Sequence, residues 1–359
     1  MKAIIVLGTR PEIIKMAPIM REMSKNNIDS FILHTGQHYS YELDKRFFED
    51  LELDNPKYNL RVGSKPYRQQ IGEMVRGIRD VLKKEKPDVV LVQGDTNSVL
   101  AGALAAAKEG VKIGHVEAGL RSHDLTMIEE KNRIITDHIS DFLFAPTEEA
   151  AKNLFDDNIH KSKIHLTGNT IVDSVLQNVE LARKKVNTLK DLGLKKNSYV
   201  LVTAHRAENV DNKERLKEIL DGLNLIKREL GLKILFPLHP RTKKMIEQFG
   251  LNIPRDIIVT EPLGFLEFLQ LEENARLILT DSGGLQEEAC ILKVPCVTMR
   301  DNTERPETVK YGMNILSGTD AKKIVKSVQT MLDKKIKWTN PFGDGNSSKK
   351  IVERLKEEL

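Results

Sequence analysis

The chain has 359 residues, too many for one comfortable hydrophobic core, so two domains are the expected organisation. Its 56 basic residues are nearly balanced by 52 acidic ones, and the signs are interspersed, which excludes the basic stripe of a nucleic-acid binder. Two cysteines build neither a disulfide framework nor a thiolate zinc site, no apolar run reaches membrane-span length, and the apolar start is too short for a secretory leader; a cytoplasmic protein without membrane insertion is expected.

In chain order, residues 2–7 read as a strand, and Pro11 opens a helix carrying Ile13, Ile14, Ala17, Ile19 and Met20. Residues 28–33 form a second strand ending in His34-Thr35-Gly36-Gln37-His38. Helices are predicted over 41–51 and 67–84. A buried strand, 89–92, ends in Gly94-Asp95-Thr96-Asn97-Ser98 and leads to an Ala-rich helix, 99–108. Strands 111–116, 142–145 and 164–166 alternate with helices 129–139 and 148–155, and a helix over 171–185 follows. The Lys-rich stretch 184–197 reads as a boundary.

The second half repeats the rhythm. Strands are predicted over 199–203, 233–237, 256–259, 277–280 and 294–299. Helices are expected over 213–230, near Arg241, near Phe265, after Ser282 and at the C-terminus over 353–359 with some residues before it. Strands alternating with helices of this length mean parallel sheets covered on both faces. Ligands of such sheets sit beyond the C-terminal strand ends.

That rule selects the candidates. Ser282 follows a buried strand, and Gly283 and Gly284 let backbone N–H groups approach an anion at a helix N-terminus; an ordinary tight turn is the alternative. Arg10 and Lys15 form a cationic clamp or a solvated face. Asp95 is a site carboxylate or an N-cap for the next helix. Glu117 continues a buried strand, where an acid must be used or paired, with Arg121 the candidate partner. Glu129 opens a helix, where acids are favoured anyway. His205 ends a strand in a polar loop and suits acid catalysis or a phosphate contact. Arg305 precedes Pro306 at a helix start, as an anion ligand or a surface cap.

The sequence has no G-x-x-x-x-G-K-[ST] loop, no G-x-G-x-x-G fingerprint and no H-E-x-x-H. His34 and His38 are separated by Gly36, which disfavours a helical metal pair. Acid/base chemistry without metal or cofactor is the expectation.

Together, Gly8-Thr9-Arg10-Pro11-Glu12, Gly36-Gln37-His38, Gln93-Gly94-Asp95-Thr96, His115-Val116-Glu117-Ala118-Gly119-Leu120-Arg121, Glu129-Glu130 with Asn132-Arg133, Thr167-Gly168-Asn169, His205-Arg206-Ala207-Glu208-Asn209, Asp281-Ser282-Gly283-Gly284-Leu285-Gln286-Glu287-Glu288 and Thr303-Glu304-Arg305-Pro306-Glu307 resemble the non-hydrolysing UDP-N-acetylglucosamine 2-epimerases. The resemblance implies an α/β fold of glycosyltransferase-B type, with two Rossmann-like domains, 1–170 and 171–345, facing across a cleft. It also implies a C-terminal helix, 346–359, crossing back to the first domain, and a homodimer. The implied reaction interconverts UDP-N-acetylglucosamine and UDP-N-acetylmannosamine by eliminating UDP to a 2-acetamidoglucal and adding it back. A role in polysaccharide synthesis goes with it.

By that resemblance Asp95, Glu117 and Glu129 exchange the proton at carbon 2. His205, Arg10 and Arg305 stabilise the leaving UDP, and Ser282, Gly283 and Gly284 hold its phosphates. Glu288 binds the ribose hydroxyls, Phe268 the uracil end and Lys15 the substrate's polar groups. Gln37, His38 and Arg68, with His239, match parts of a second, regulatory UDP-N-acetylglucosamine site. Two departures stand out: Leu263 where the family commonly has Gln, and a segment before Glu129 that is short and lacks the family's prolines. A glycosyltransferase of the same architecture, a hydrolysing 2-epimerase and a non-catalytic nucleotide-sugar sensor are the rival readings.

Overall fold

The computed structural model of the protein describes residues 1–37, 47–334 and 340–359. The chain divides into two compact units, Met1–Gln177 with Phe342–Leu359, and Asn178–Pro341. The predicted helix over 41–51 and His38 fall largely or wholly outside the described residues.

The first unit is built on a seven-stranded parallel sheet, ordered β3-β2-β1-β4-β5-β6-β7. The strands are β1 (Lys2–Leu7), β2 (Asp29–His34), β3 (Tyr58–Asn59), β4 (Val89–Gln93), β5 (Lys112–Val116), β6 (Phe142–Ala145) and β7 (Ile164–Leu166). The central strands β1 and β4 are apolar between their end residues because both faces are covered, as parallel sheets require. On one face, Val6, Val90 and Val92 share a core with Met74 and Ile78 of helix Tyr67–Glu85 and with the alanines of helix Asn97–Glu109. Gly8 has to be glycine: a Cβ there would lie 2.1 Å from Ser98 Oγ and 2.2 Å from Thr35 Oγ1.

The second unit has a six-stranded parallel sheet, ordered β10-β9-β8-β11-β12-β13. Its strands are β8 (Tyr199–Thr203), β9 (Lys233–Pro237), β10 (Ile258–Thr260), β11 (Leu277–Thr280), β12 (Cys296–Thr298) and β13 (Asn314–Leu316). Helices Lys213–Leu230 and Ala321–Asp333 cover one face through Leu216, Ile219, Leu223, Ile324 and Val328. The polar stretch after residue 184 joins this unit: Leu189, Leu192 and Leu194 pack into its second core, and Gln270 Nε2 donates to Val186 O.

Most predicted elements stand within a few residues of the expected ends. The sequence reading assigned nothing to β3, to β13 or to helix Ala321–Asp333. The two strands are two and three residues long, too short to show a period. The helix does carry apolar residues at helical spacing, with Asp320 Oδ1 accepting from Lys323 N at its start. The C-terminal helix runs over Ser347–Glu358, taking in the residues before 353 that the reading had included without a fixed start.

In each sheet the strand order reverses direction beside the first strand of the unit, between β1 and β4 and between β8 and β11. This is the topological switch point of a doubly wound fold, where loops part and a ligand crevice opens.

The C-terminal helix Ser347–Glu358 lies against helix Arg10–Lys25 within the first unit. Its first turn is held by buried Asp173, which accepts from Ser347 N at 3.2 Å, Ser348 N at 2.8 Å and Ser348 Oγ at 2.6 Å. Asp173→Ala strands three buried donors, each costing roughly 1–3 kcal/mol when unmade. A stability loss of about 3 kcal/mol in urea unfolding is expected, with hydrogen exchange rising first in 347–358.

Candidate active site

At the first unit's switch point, the loop after β1 carries Gly8, Thr9 and Arg10, and the loop after β4 carries Gly94 and Asp95. Glu12 lies beneath them, almost fully buried. Its Oε2 accepts from Gly8 N at 2.5 Å and Thr9 N at 2.8 Å, and its Oε1 accepts from Thr96 Oγ1. Burial outweighs these bonds and pushes its carboxyl up to about 7. The sequence reading passed over Glu12; a capping-box glutamate at N3 was its available signal.

Asp95 is not the cap of the following helix. Thr96 holds that position, accepting from Val99 N at 3.4 Å. The Asp95 carboxylate instead pairs with Arg133, while its carbonyl accepts from Asn132 Nδ2 at 3.0 Å. Burial raises the Asp95 carboxyl above its ordinary value; Arg133 and Lys15 oppose this and neighbouring Glu117 adds to it.

Glu117 has φ +67°, a left-handed backbone that residues other than glycine rarely adopt and that concentrates at functional sites. Its partner is not Arg121. Lys15 Nζ lies 2.5 Å from Glu117 Oε2, and Gln93 Nε2 donates to the same oxygen at 2.9 Å. A cation and an amide donor on one oxygen favour the ionised carboxylate. Arg121 turns to Asp137, at 2.7 Å, and to Asp157. The loop and side-chain bonds thus bring Asp95, Glu117 and Lys15 together, and two carboxylates that influence each other sit in contrasting environments.

Glu129 is exposed in the first turn of helix Ile128–Ile139. Its neighbour Glu130 is buried and structural. Glu130 accepts from Ser122 N and His123 N and pairs with Arg133; these bonds hold its carboxyl below its ordinary value against the effect of burial. Arg10 is exposed, with its guanidinium 5.5 Å from the Phe47 ring centroid.

Of the regulatory candidates, Gln37 is buried, and its side-chain oxygen accepts from Ser98 N at 3.0 Å and Ser98 Oγ at 2.6 Å. Arg68 is exposed in the first turn of helix Tyr67–Glu85.

In the second unit, His205 follows β8, and Ser282 with Gly283 and Gly284 follows β11. Asp281, fully buried, ties these loops together: it accepts from His205 N at 2.9 Å, Arg206 N at 2.9 Å and Asn209 Nδ2 at 3.2 Å. The His205 ring is left part-exposed, 5.6 Å from the His239 ring. Burial, followed by His205, lowers His239.

Ser282 takes the N-cap position of helix Gly283–Leu292 but makes no side-chain capping bond. The Ser282 hydroxyl therefore leaves the first-turn N–H groups uncapped, and Glu304 Oε2 stands 3.5 Å from where a Cβ on Gly283 would be. Arg206 lies alongside, its Nη2 3.6 Å from where a Cβ on Gly283 would stand.

Arg305 Nε lies 2.7 Å from Glu287 Oε1. Phe268 and Leu263 pack together against the core that holds Leu271 and Ile278. Glu288 carries a hydrogen bond with Glu272, a buried acid on helix Phe265–Asn274 whose carboxyl burial raises well above its ordinary value. Sequence reasoning missed Asp281, Arg206 and Glu272; a buried acid at a strand end was the signal for Asp281, as it was for Glu117.

Among the described residues no group of three or more His, Cys, Asp or Glu could hold a metal. Cys290 and Cys296 are unbridged and buried, and burial pushes each thiol up to about 12.

Two doubly wound units, one with neighbouring carboxylates at its switch point and the other with a glycine-led helix N-terminus at its own, define an α/β protein of two Rossmann-like units. The family profile described as UDP-N-acetylglucosamine 2-epimerase matches residues 21–356. The UDP-N-acetylglucosamine 2-epimerase of Methanocaldococcus jannaschii is 56% identical over 361 residues, 99% of each chain. A solved structure of the M. jannaschii enzyme in complex with UDP-GlcNAc and UDP matches with a TM-score of 0.86 at 57% identity, over 99% of this chain and 100% of that one. A UDP-2,3-diacetamido-2,3-dideoxy-D-glucuronate 2-epimerase of Pseudomonas aeruginosa is 41% identical over 99% of each chain. The chain belongs to the UDP-N-acetylglucosamine 2-epimerase family.

Glu12 makes stability depend on pH. Between its ordinary value of 4.5 and about 7, the unfolded chain gives up this proton while the folded chain keeps it. Stability therefore falls as pH rises through that window and is flat for this group below it. Glu12→Gln, which cannot ionise, is expected to show a smaller drop in urea midpoint between pH 4.5 and pH 7 than the parent chain.

Proposed function

We propose that this chain interconverts UDP-N-acetylglucosamine and UDP-N-acetylmannosamine without releasing free sugar. The hydrogen on carbon 2 has no adjacent carbonyl to acidify it, so direct deprotonation is too slow. In the proposed course a carboxylate takes that proton as the bond from carbon 1 to the UDP oxygen breaks, leaving UDP and 2-acetamidoglucal. UDP then re-adds at carbon 1, and a carboxylic acid returns a proton to the opposite face of carbon 2.

The observation that supports this most is the contrast between Asp95 and Glu117 in a chain matching the family along its whole length. Glu117, held by Lys15 and Gln93, suits the base. Asp95, raised by burial, suits the proton donor, because a group is useful as an acid when its affinity for the proton approaches the working pH. Glu129 supplies the third carboxylate of the exchange.

His205, Arg10 and Arg305 stabilise charge on the departing diphosphate, and Ser282, Gly283 and Gly284 bind it at the helix N-terminus. Glu288 takes the ribose hydroxyls, Phe268 the uracil and Lys15 polar groups of the sugar. The same reading makes the protein a cytoplasmic homodimer that feeds polysaccharide synthesis. It also places a regulatory second substrate at Gln37, His38 and Arg68. The 41%-identical relative acts on a diacetamido-glucuronate sugar; the higher identity to enzymes named for UDP-N-acetylglucosamine favours that substrate here.

Incubation with UDP-N-acetylglucosamine alone, in heavy water, tests the proposal by proton and phosphorus NMR. UDP-N-acetylmannosamine with deuterium at carbon 2 is the expected product. Accumulating UDP and free N-acetylmannosamine would move the assignment to a hydrolysing epimerase. No exchange at all would leave a transferase or a sensor. Asp95→Asn and Glu117→Gln should each lower exchange by ~10³-fold or more while UDP affinity stays within about threefold.

A further inference from the structure

His115 lies in β5, fully buried, two residues before Glu117. Both ring nitrogens have partners that can only accept. Nε2 is 2.8 Å from the Gly94 carbonyl oxygen, and Nδ1 is 2.7 Å from Asp137 Oδ1. Asp137 is itself fully buried on helix Ile128–Ile139, and its other oxygen meets Arg121 Nη1 at 2.7 Å and Gly119 N at 3.3 Å. Both of those partners, a guanidinium and a backbone N–H, donate, so Asp137 serves as an acceptor in its other contacts as well. A neutral imidazole has one N–H and one lone pair, and here a lone pair would face an oxygen on one side. Strands β4 and β6 place apolar Val92 and Leu143 beside it in register; among the described residues the charged groups bonded to the ring or to its acceptor are Asp137 and Arg121.

We infer that His115 works as a buried imidazolium, a positioning residue that holds the Asp95 loop and the Glu117 loop to one another. Its Nε2–H fixes the Gly94 carbonyl, the peptide that leads into Asp95. The Gly94 N–H is bound by Val116 O at 3.1 Å, and the Asp95 carbonyl by Asn132, so the peptide bonds on either side of Asp95 are both anchored. Through Asp137 the same ring reaches Gly119 and Arg121, on the far side of the strained Glu117. One cation between two acceptors thus sets the spacing of two carboxylates that must act in turn. Displacement of a reacting group by about 1 Å costs on the order of a hundredfold in rate.

The effect on turnover rests on the roles proposed for Asp95 and Glu117; the protonation of the ring does not. Long-range proton–nitrogen correlation on histidine-labelled protein, with His115 assigned by its missing signal in His115→Asn or by its shift in Asp137→Asn, reads the ring directly at the pH of the activity assay. Two protonated nitrogens are expected, and a single-tautomer neutral ring would overturn the inference. In kinetics, His115→Asn should lower kcat about a hundredfold with KM changed less than about threefold. The double variant with Asp137→Asn should be no worse than the poorer single one, because the two residues act as one unit. Should His115→Asn not fold, Asp137→Asn is read in the same way. A folded variant with unchanged kcat and unchanged deuterium exchange would remove the positioning role. If the parent chain shows no exchange, the functional proposal fails while the ring measurement still stands.

Discussion

Buried carboxylates that accept hydrogen bonds from backbone N–H groups at loop starts and strand ends hold this structure together. A parallel sheet sends each strand into a loop whose first amides have left the ladder, and a buried amide without an acceptor is costly. Glu12 takes Gly8 and Thr9, and Glu130 takes Ser122 and His123. Asp137 takes Gly119, Asp281 takes His205 and Arg206, and Asp173 takes the first amides of the C-terminal helix. In each case one rigid acceptor fixes two chain positions or more, and leaving such buried donors without an acceptor is costly.

In each unit candidate residues at the switch point lie close in the chain to backbone held by a buried acid: Arg10 follows Thr9, whose N–H donates to Glu12, Glu117 precedes the segment held by Asp137, and His205 N donates to Asp281. Cations are then distributed so that few buried acids stand alone: Lys15 on Glu117, Arg133 shared by Asp95 and Glu130, Arg121 shared by Asp137 and Asp157. Burial raises the Asp95 carboxyl in spite of Arg133 and Lys15. A site built this way differentiates two nearby carboxylates through their surroundings, since their side-chain chemistry is almost the same.

Much was legible from the residues. Apolar runs of four to six residues between helices of ordinary length fixed parallel sheets, and strand-end polar residues marked Asp95, Glu117, His205 and Ser282. Periodicity failed where elements were two or three residues long. Partner choice failed at Glu117, because Arg121 is close in sequence whereas Lys15 comes from 102 residues away.

The sequence alone therefore determined the fold class, the order of most elements and which side chains lie past strand ends, because alternating hydrophobic periods and punctuating glycines and prolines are local properties. Only the tertiary structure decided which acids are tied to backbone amides and cations and which stay exposed. Glu129 and Glu130 are adjacent and chemically identical, yet one is exposed and the other is locked by two amides and an arginine. That distinction depends on which distant backbone groups lack an acceptor, and it appears only when the strands are assembled side by side.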